Sequence, residues 1–267
     1  MKRFFFLIPL GFAAICFFAC KSEPHKVAEL SVANAQGRAL ALFEISDEKG
    51  AVFVDSIYPL KKRKDEFSFP CEDMHIYALF AHGSENPLVL LPMPDERLHL
   101  HTTYDSLVSH ANICDGISAP VNQAVIDYQK RILQTESLIE NTERIWMANR
   151  YKVRNADSLH EACSLRINNL LENIHHEAMK LCSRNTNNLI PVFIVNKTVG
   201  SHALFNLEDG GDIAFLKACA DSMVKQLPGN GHAARFRFNV ERAANRLKQR
   251  QIFNGTEHEE NESHDHR

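Results

Sequence analysis

The side chains with most scope for chemistry in this sequence are its 7 cysteines and 14 histidines. A thiol-disulfide oxidoreductase needs two cysteines separated by two residues, so that a helix start stabilises one thiolate while the other resolves the mixed disulfide. The sequence has no Cys-x-x-Cys. Beyond the hydrophobic N-terminus it offers Cys20, Cys71, Cys114, Cys163, Cys182 and Cys219. Cys163, Cys182 and Cys219 fall on the apolar stripes of expected helices, where cysteine serves as a small core residue, so buried free thiols are expected there. A Cys71 to Cys114 bridge stays open, without a spacing pattern to support it.

Among the histidines, His99-Leu100-His101 puts two rings on one strand face, and His175-His176 stands on an expected helix. A zinc site takes three or four protein ligands, and neither pair has identifiable companions. His176-Glu177-Ala178-Met179-Lys180 opens like a zincin helix but places Lys180 where the second ligand belongs. Glu208-Asp209-Gly210-Gly211-Asp212 lacks the spacing of a calcium loop and reads as the entry to a helix capped by Asp209 or Asp212. Nucleophile elbow, phosphate loop and dinucleotide fingerprint are all missing. No catalytic residue, cofactor-binding residue or metal ligand is therefore nominated, and no cofactor is expected. Lys61-Lys62-Arg63-Lys64, beside Asp65-Glu66, reads as a solvated hairpin loop. The triplets starting at Asp55, Asp105, Asp157 and Asp221 resemble the Asp-Ser-apolar sequon for periplasmic O-glycosylation, although helix capping produces the same pattern.

The clearest chemistry is at the front. Lys2 and Arg3 precede an apolar run from Phe4 to Phe18, which ends in Ala19-Cys20 and turns polar at Lys21-Ser22-Glu23. This is the layout of a secretory signal. As a helix the run spans about 22 Å, short of the roughly 30 Å hydrocarbon core. Phe17-Phe18-Ala19-Cys20 resembles a bacterial lipobox, with Phe17 and Phe18 departing from the usual Leu-Ala. Cys20 is thus the nominated lipidation site, and acyl chains at ~0.8 kcal/mol per buried CH₂ would hold a soluble domain at a bilayer. Lys21 is not the aspartate of an inner-membrane retention signal, which points to the outer membrane. Loss of residues 1–19 leaves 28 basic against 33 acidic side chains, because Lys2 and Arg3 are two of the 30. With no basic surplus, nucleic acid is excluded as a partner class.

Between Val27 and Tyr104 the sequence alternates with period two: Leu40 to Phe43, Ala51 to Val54, Phe67 to Phe69, His75 to Phe80, Leu88 to Leu91 and Leu98 to His101. Short strands at such spacing predict an antiparallel β-sandwich. From Ala119 the period lengthens, through Val121, Val125, Tyr128 and Ile132 and again through Leu159, Cys163, Ile167 and Ile174, predicting long amphipathic helices. Further helices are expected over Asp212 to Gln226 and about Ala233 to Gln249. Val192 to Val195 has strand composition in a position that favours helix. The expected fold class is α+β: signal peptide 1–19, tether 20–27, β-sandwich 28–104, helical region 105–250, and an acidic, histidine-bearing disordered tail 251–267. His258, His264 and His266 in that tail offer loose divalent-metal binding at most.

Val54-Asp55-Ser56-Ile57, Phe67-Ser68-Phe69, the pair Leu88 to Leu91 and Leu98-His99-Leu100, and Asp115-Gly116 leading into a helix together resemble the domain of unknown function 4369. That domain is the N-terminal module of TlpA/ResA-type thioredoxin lipoproteins. Asn187 to Pro191 and the final helix resemble the linker that follows it, so the likeness runs from about 28 to 250. It implies a β-sandwich and, in full-length members, a thioredoxin domain beginning near where these residues stop. The expectation is a non-catalytic, lipid-anchored envelope module that binds an envelope protein or ligand by a sheet face, a strand edge or the groove between sheet and helices. Two other classes stay open: an accessory in thiol-disulfide exchange working with a separate thioredoxin-like protein, and a metal-binding lipoprotein.

Overall fold

A computed structural model describes residues 26–35, 39–46, 49–58, 65–84 and 86–264, with the side chains of the last helix described to 250. The signal segment, Cys20 and the basic run 61–64 lie outside the described residues. Among the described residues helix makes up 50% and strand 23%, with the sheets in the N-terminal half and the helices after them, which is the α+β class.

The strands are β1 (Val27–Ala33), β2 (Leu40–Ser46), β3 (Gly50–Ile57), β4 (Asp65–Pro70), β5 (Ile76–Ala81), β6 (Leu88–Leu90), β7 (Arg97–His101) and β8 (Asn112–Asp115). They form two four-stranded sheets, ordered β4-β1-β7-β8 and β3-β2-β5-β6. Alternation drives each one. In β4, Phe67 and Phe69 are buried while Glu66 and Ser68 face out, and in β7 Leu98 and Leu100 are buried between outward-facing residues. One hydrophobic cluster joins Leu30, Val32, Phe67, Phe69, Leu98 and Leu100 of the first sheet to Leu40, Leu42, Tyr77, Leu79, Leu88 and Leu90 of the second.

The sequence predicts an antiparallel arrangement, but one strand pair departs from it. β1 pairs with β7 in parallel, Leu30 opposite Leu98 and Val32 opposite Leu100. Parallel neighbours need a long crossover, and here the chain lays down the whole second sheet and β4 of the first between them. Local alternation is the same for either direction, so it carries no information on this point. Strand β8 also falls inside the stretch 105–250 expected to be helical.

The helices are α1 (Ala119–Asn149), α2 (Ala156–Arg184), α3 (Ile190–Val195), α4 (Gly210–Gln226) and α5 (Gly231–His264), with a short hairpin of β9 (Thr198–Val199) and β10 (His202–Ala203) after α3. The ambiguous segment is helical because Pro191 fits a first turn, where its missing N–H costs nothing. Asp209 caps α4 by accepting from the Asp212 N–H at 2.9 Å. The α5 backbone stays helical to His264, well into the stretch expected to be a disordered tail. Helix propagation needs no apolar face once a packed first half has nucleated it.

A second cluster covers the other side of β5 and β6, where Ile76, Val89 and Leu91 meet Val125, Tyr128 and Ile132 of α1 and Ile174, Ala178 and Cys182 of α2. Strand β6 is a sheet edge, and α1 closes it with side-chain amides. Asn122 Oδ1 accepts from the Leu91 N–H at 2.6 Å while its Nδ2 donates to the Leu91 carbonyl at 3.1 Å. Two turns on, Gln129 Oε1 accepts from the Val89 N–H at 3.0 Å and its Nδ-equivalent, Nε2, donates to the Pro87 carbonyl at 2.9 Å. Asn122→Ala leaves a buried N–H and carbonyl without partners and is expected to cost about 2 kcal/mol in urea unfolding. An unchanged midpoint would show that the edge is satisfied without it.

Candidate functional site

Where the second sheet meets the start of α5, a cleft of about 470 Å³ opens, lined by Glu44, Ser46, Asp73, His75, Asn230, His232, Arg235 and Phe238 among others. Three pieces of chain build it. Glu44 and Ser46 come from the end of β2, Asp73 and His75 from the turn between β4 and β5, and the rest from the first turns of α5. Asn230 holds the pieces together. Its Oδ1 caps α5 by accepting from the Ala233 N–H at 3.1 Å, and its Nδ2 donates to Asp73 Oδ2 at 2.8 Å and to the Met74 carbonyl at 3.0 Å.

With α5 fixed in this way, His232 is buried against the edge of the His75 ring, centroids 5.6 Å apart, and His75 Nδ1 lies 3.2 Å from Glu44 Oε1. That approach is close enough for an ion pair when His75 is protonated, but lies off the hydrogen-bond axis. At the rim, Phe238 is 53% exposed, with the Arg235 guanidinium 5.6 Å from its ring centroid. The cleft therefore offers carboxylate acceptors, a guanidinium donor, an imidazole and an aromatic face together. Such a set suits a polar ligand with one apolar side. A second depression, on the outer face of the second sheet around Phe43, Phe80 and Tyr58, is lined mostly by alanine and aromatic side chains and has less to orient a ligand with.

None of the residues singled out from spacing lies in this cleft. His101 Nε2 sits 2.7 Å from Asn34 Nδ2, with a register shift between His99 and Leu100 in the pairing to β8. His175 bridges to α4 through Asp212 Oδ1 at 2.9 Å, and His176 Nδ1 lies 2.9 Å from the Glu172 carbonyl on its own helix. Glu177 pairs with Arg131 of α1 at 3.1 Å. Of the two candidate caps, Asp209 is the one that caps α4, while the Asp212 carboxylate accepts from the Asn206 N–H at 2.7 Å. Of the triplet serines, Ser222 donates to Thr186, while Ser56 and Ser158 are exposed. Cys71 and Cys114 follow or lie on β4 and β8, the two edges of the first sheet. Three strand spacings make about 14 Å, well beyond the roughly 7 Å limit for a disulfide, so that bridge is excluded.

Cys114 is exposed, and Cys71, Cys163, Cys182 and Cys219 are buried free thiols. Burial pushes the Cys71 thiol up to about 11, so little thiolate exists there at neutral pH and exchange chemistry at Cys71 is disfavoured. Among the described residues no group of three or more His, Cys, Asp or Glu is arranged to hold a metal ion, and no helix is long and apolar enough to cross a membrane. The cleft residues were not legible as a set, because Asp73 and Asn230 are 157 positions apart and only the fold joins them. No family model, curated protein or solved structure matches the chain.

Proposed function

We propose that this chain is a lipid-anchored cell-envelope protein, held at the outer membrane by acyl chains on Cys20, whose cleft between the second sheet and α5 binds a polar ligand or a partner's polar segment. In this reading the two sheets are a β-sandwich, the helices a bundle packed on it, and the whole a non-catalytic relative of the domain of unknown function 4369. The observation that carries the binding role is the convergence of Glu44, Asp73, His75, Arg235 and Phe238 on one open cleft within the usual size range of ligand sites. The anchor supports it. The Cys71 N–H donates to the Lys26 carbonyl at 2.8 Å, so the chain leading back to Cys20 leaves beside the turn that carries Asp73. Six residues of chain reach at most about 20 Å, which would keep the cleft close to the bilayer.

Two measurements test the two halves. Wild-type protein is expected to incorporate labelled palmitate and to sediment with membranes, and Cys20→Ser to do neither; unlabelled wild type would remove the anchor. For the cleft, a photoreactive phenylalanine analogue replaces Phe238 in one sample and Leu165, which is 62% exposed on α2, in another. Crosslinked envelope adducts are expected at 238 and not at 165. Equal adducts at both sites, or none at 238, would remove the cleft from the account.

A further inference from the structure

Helices α2 and α4 are docked at two points. His175 Nε2 meets Asp212 Oδ1 at 2.9 Å across 37 positions, and just past the end of α2 the Thr186 hydroxyl accepts from Ser222 Oγ at 3.0 Å across 36 positions. Both partners advance together along the chain, so the two segments run side by side in the same direction, each residue facing one about 37 positions on. Cys182 and Cys219 are 37 positions apart. Each also lies seven residues, two helical turns, beyond its helix's member of the His175–Asp212 pair, and therefore on the same docking face. Cys182 is 0% and Cys219 4% exposed, both in one hydrophobic cluster.

We propose that Cys182 and Cys219 are a dithiol pair that closes into a disulfide clamping α2 to α4. The step belongs to folding, before the core closes over either sulfur: the first thiolate attacks a small-molecule or protein disulfide and expels one thiol. The partner thiolate then attacks the mixed disulfide and expels the second. Two S–H bonds and one external S–S bond are exchanged for one internal S–S bond, and the two electrons reduce the external disulfide to two thiols. The Cys219 thiol already raises the proton affinity of Cys182, a sign that the two groups feel each other. An envelope compartment supplies the oxidising poise such a bridge requires. Because α4 leads directly into α5, which carries Asn230, His232, Arg235 and Phe238, the clamp also anchors half of the cleft to the helices behind it.

The test is refolding from urea in a buffer of reduced and oxidised glutathione, which exposes every thiol to the oxidant before the core closes. Remaining thiols are then alkylated and the protein is peptide-mapped. Expected are a refolded product lighter by two hydrogens, the Cys182 and Cys219 peptides joined and released by reductant, and Cys71, Cys114 and Cys163 alkylated. Cys182→Ser should refold with Cys219 alkylated and no bridge. Refolded wild type with both thiols alkylated, or with either joined to another cysteine, overturns the assignment.

Discussion

Glu96→Ala is expected to lower the free energy of unfolding by about 3–5 kcal/mol, because three donors lose their acceptor at roughly 1–3 kcal/mol each. Glu96 is 2% exposed at the start of β7. Its Oε1 accepts from the Ser118 N–H at 2.5 Å, and its Oε2 from Ser118 Oγ at 2.6 Å and the Met93 N–H at 2.6 Å. Ser118 precedes α1 without capping it by its own side chain, so Glu96 supplies the negative charge at that helix start from a different element. The chain continues inward: Asn122 Nδ2 donates to Ser118 Oγ at 2.6 Å, and Asn122 also closes the edge of β6. Removing the carboxylate leaves buried donors at the junction of both sheets with α1. Glu96→Gln keeps the shape but turns an amide N–H₂ towards donors, and should fall between. Gly116 confirms how tight the junction is. At φ +139 an added Cβ would stand 2.8 Å from Glu96 Oε1 and 2.7 Å from Leu98 Cδ1. Gly116→Ala is thus expected to act on the same contacts, and the double variant to lose less than the two losses added. Urea melts of wild type and the four variants read all of this; a loss below about 1 kcal/mol for Glu96→Ala would contradict it.

The same residues show what a linear sequence can carry. Period-two alternation is legible where only one face of a strand meets a core: Phe67 and Phe69 against Glu66 and Ser68 need no distant information, whereas β6 is buried throughout and reads as an unbroken apolar run. The helical stripes were legible for the same reason, since Val125, Tyr128 and Ile132 face one cluster at helical spacing. Direction of pairing is not legible, because five strands separate β1 from β7 in the chain and alternation is the same for either direction. Nothing local marks Glu96 for burial, since its partner Ser118 lies 22 positions on. His75 and His232 are likewise unremarkable in their own surroundings, one before a strand and one in a first helical turn. Adjacent histidines stand out by local spacing, whereas the grouping in the cleft comes from the β4–β5 turn meeting α5. Capping is the intermediate case: Asp209 was readable because a cap acts within three residues, whereas the cap on Ser118 comes from 22 positions away.

In reduced protein, stability is expected to fall steeply between pH 9 and 11. A cysteine thiol exposed in the unfolded chain ionises near 9.0, while burial holds the folded Cys71 and Cys219 thiols protonated up to about 11. Cys182 is raised as well, by burial first and by Cys219 second, and burial also raises the hydroxyls of Tyr77 and Tyr128. Below pH 9 both states keep these protons and the groups add no slope. Above it the unfolded chain releases protons that the folded protein retains, so the unfolded state binds fewer and unfolding is favoured as pH rises. Each such thiol contributes about 1.4 kcal/mol of lost stability per pH unit until the folded thiol ionises in turn. Cys71 and Cys219 together would remove about 3 kcal/mol per unit, on the order of the whole stability of a marginal domain within two units. Urea melts at half-unit steps measure the slope. Cys71→Ala should flatten it by one thiol's share, whatever it does to stability at pH 7. Oxidation of Cys182 to Cys219 should flatten it further, since a disulfide has no proton to lose. A slope identical in wild type, Cys71→Ala and oxidised protein would mean that the alkaline transition comes from other groups, the buried tyrosines first among them.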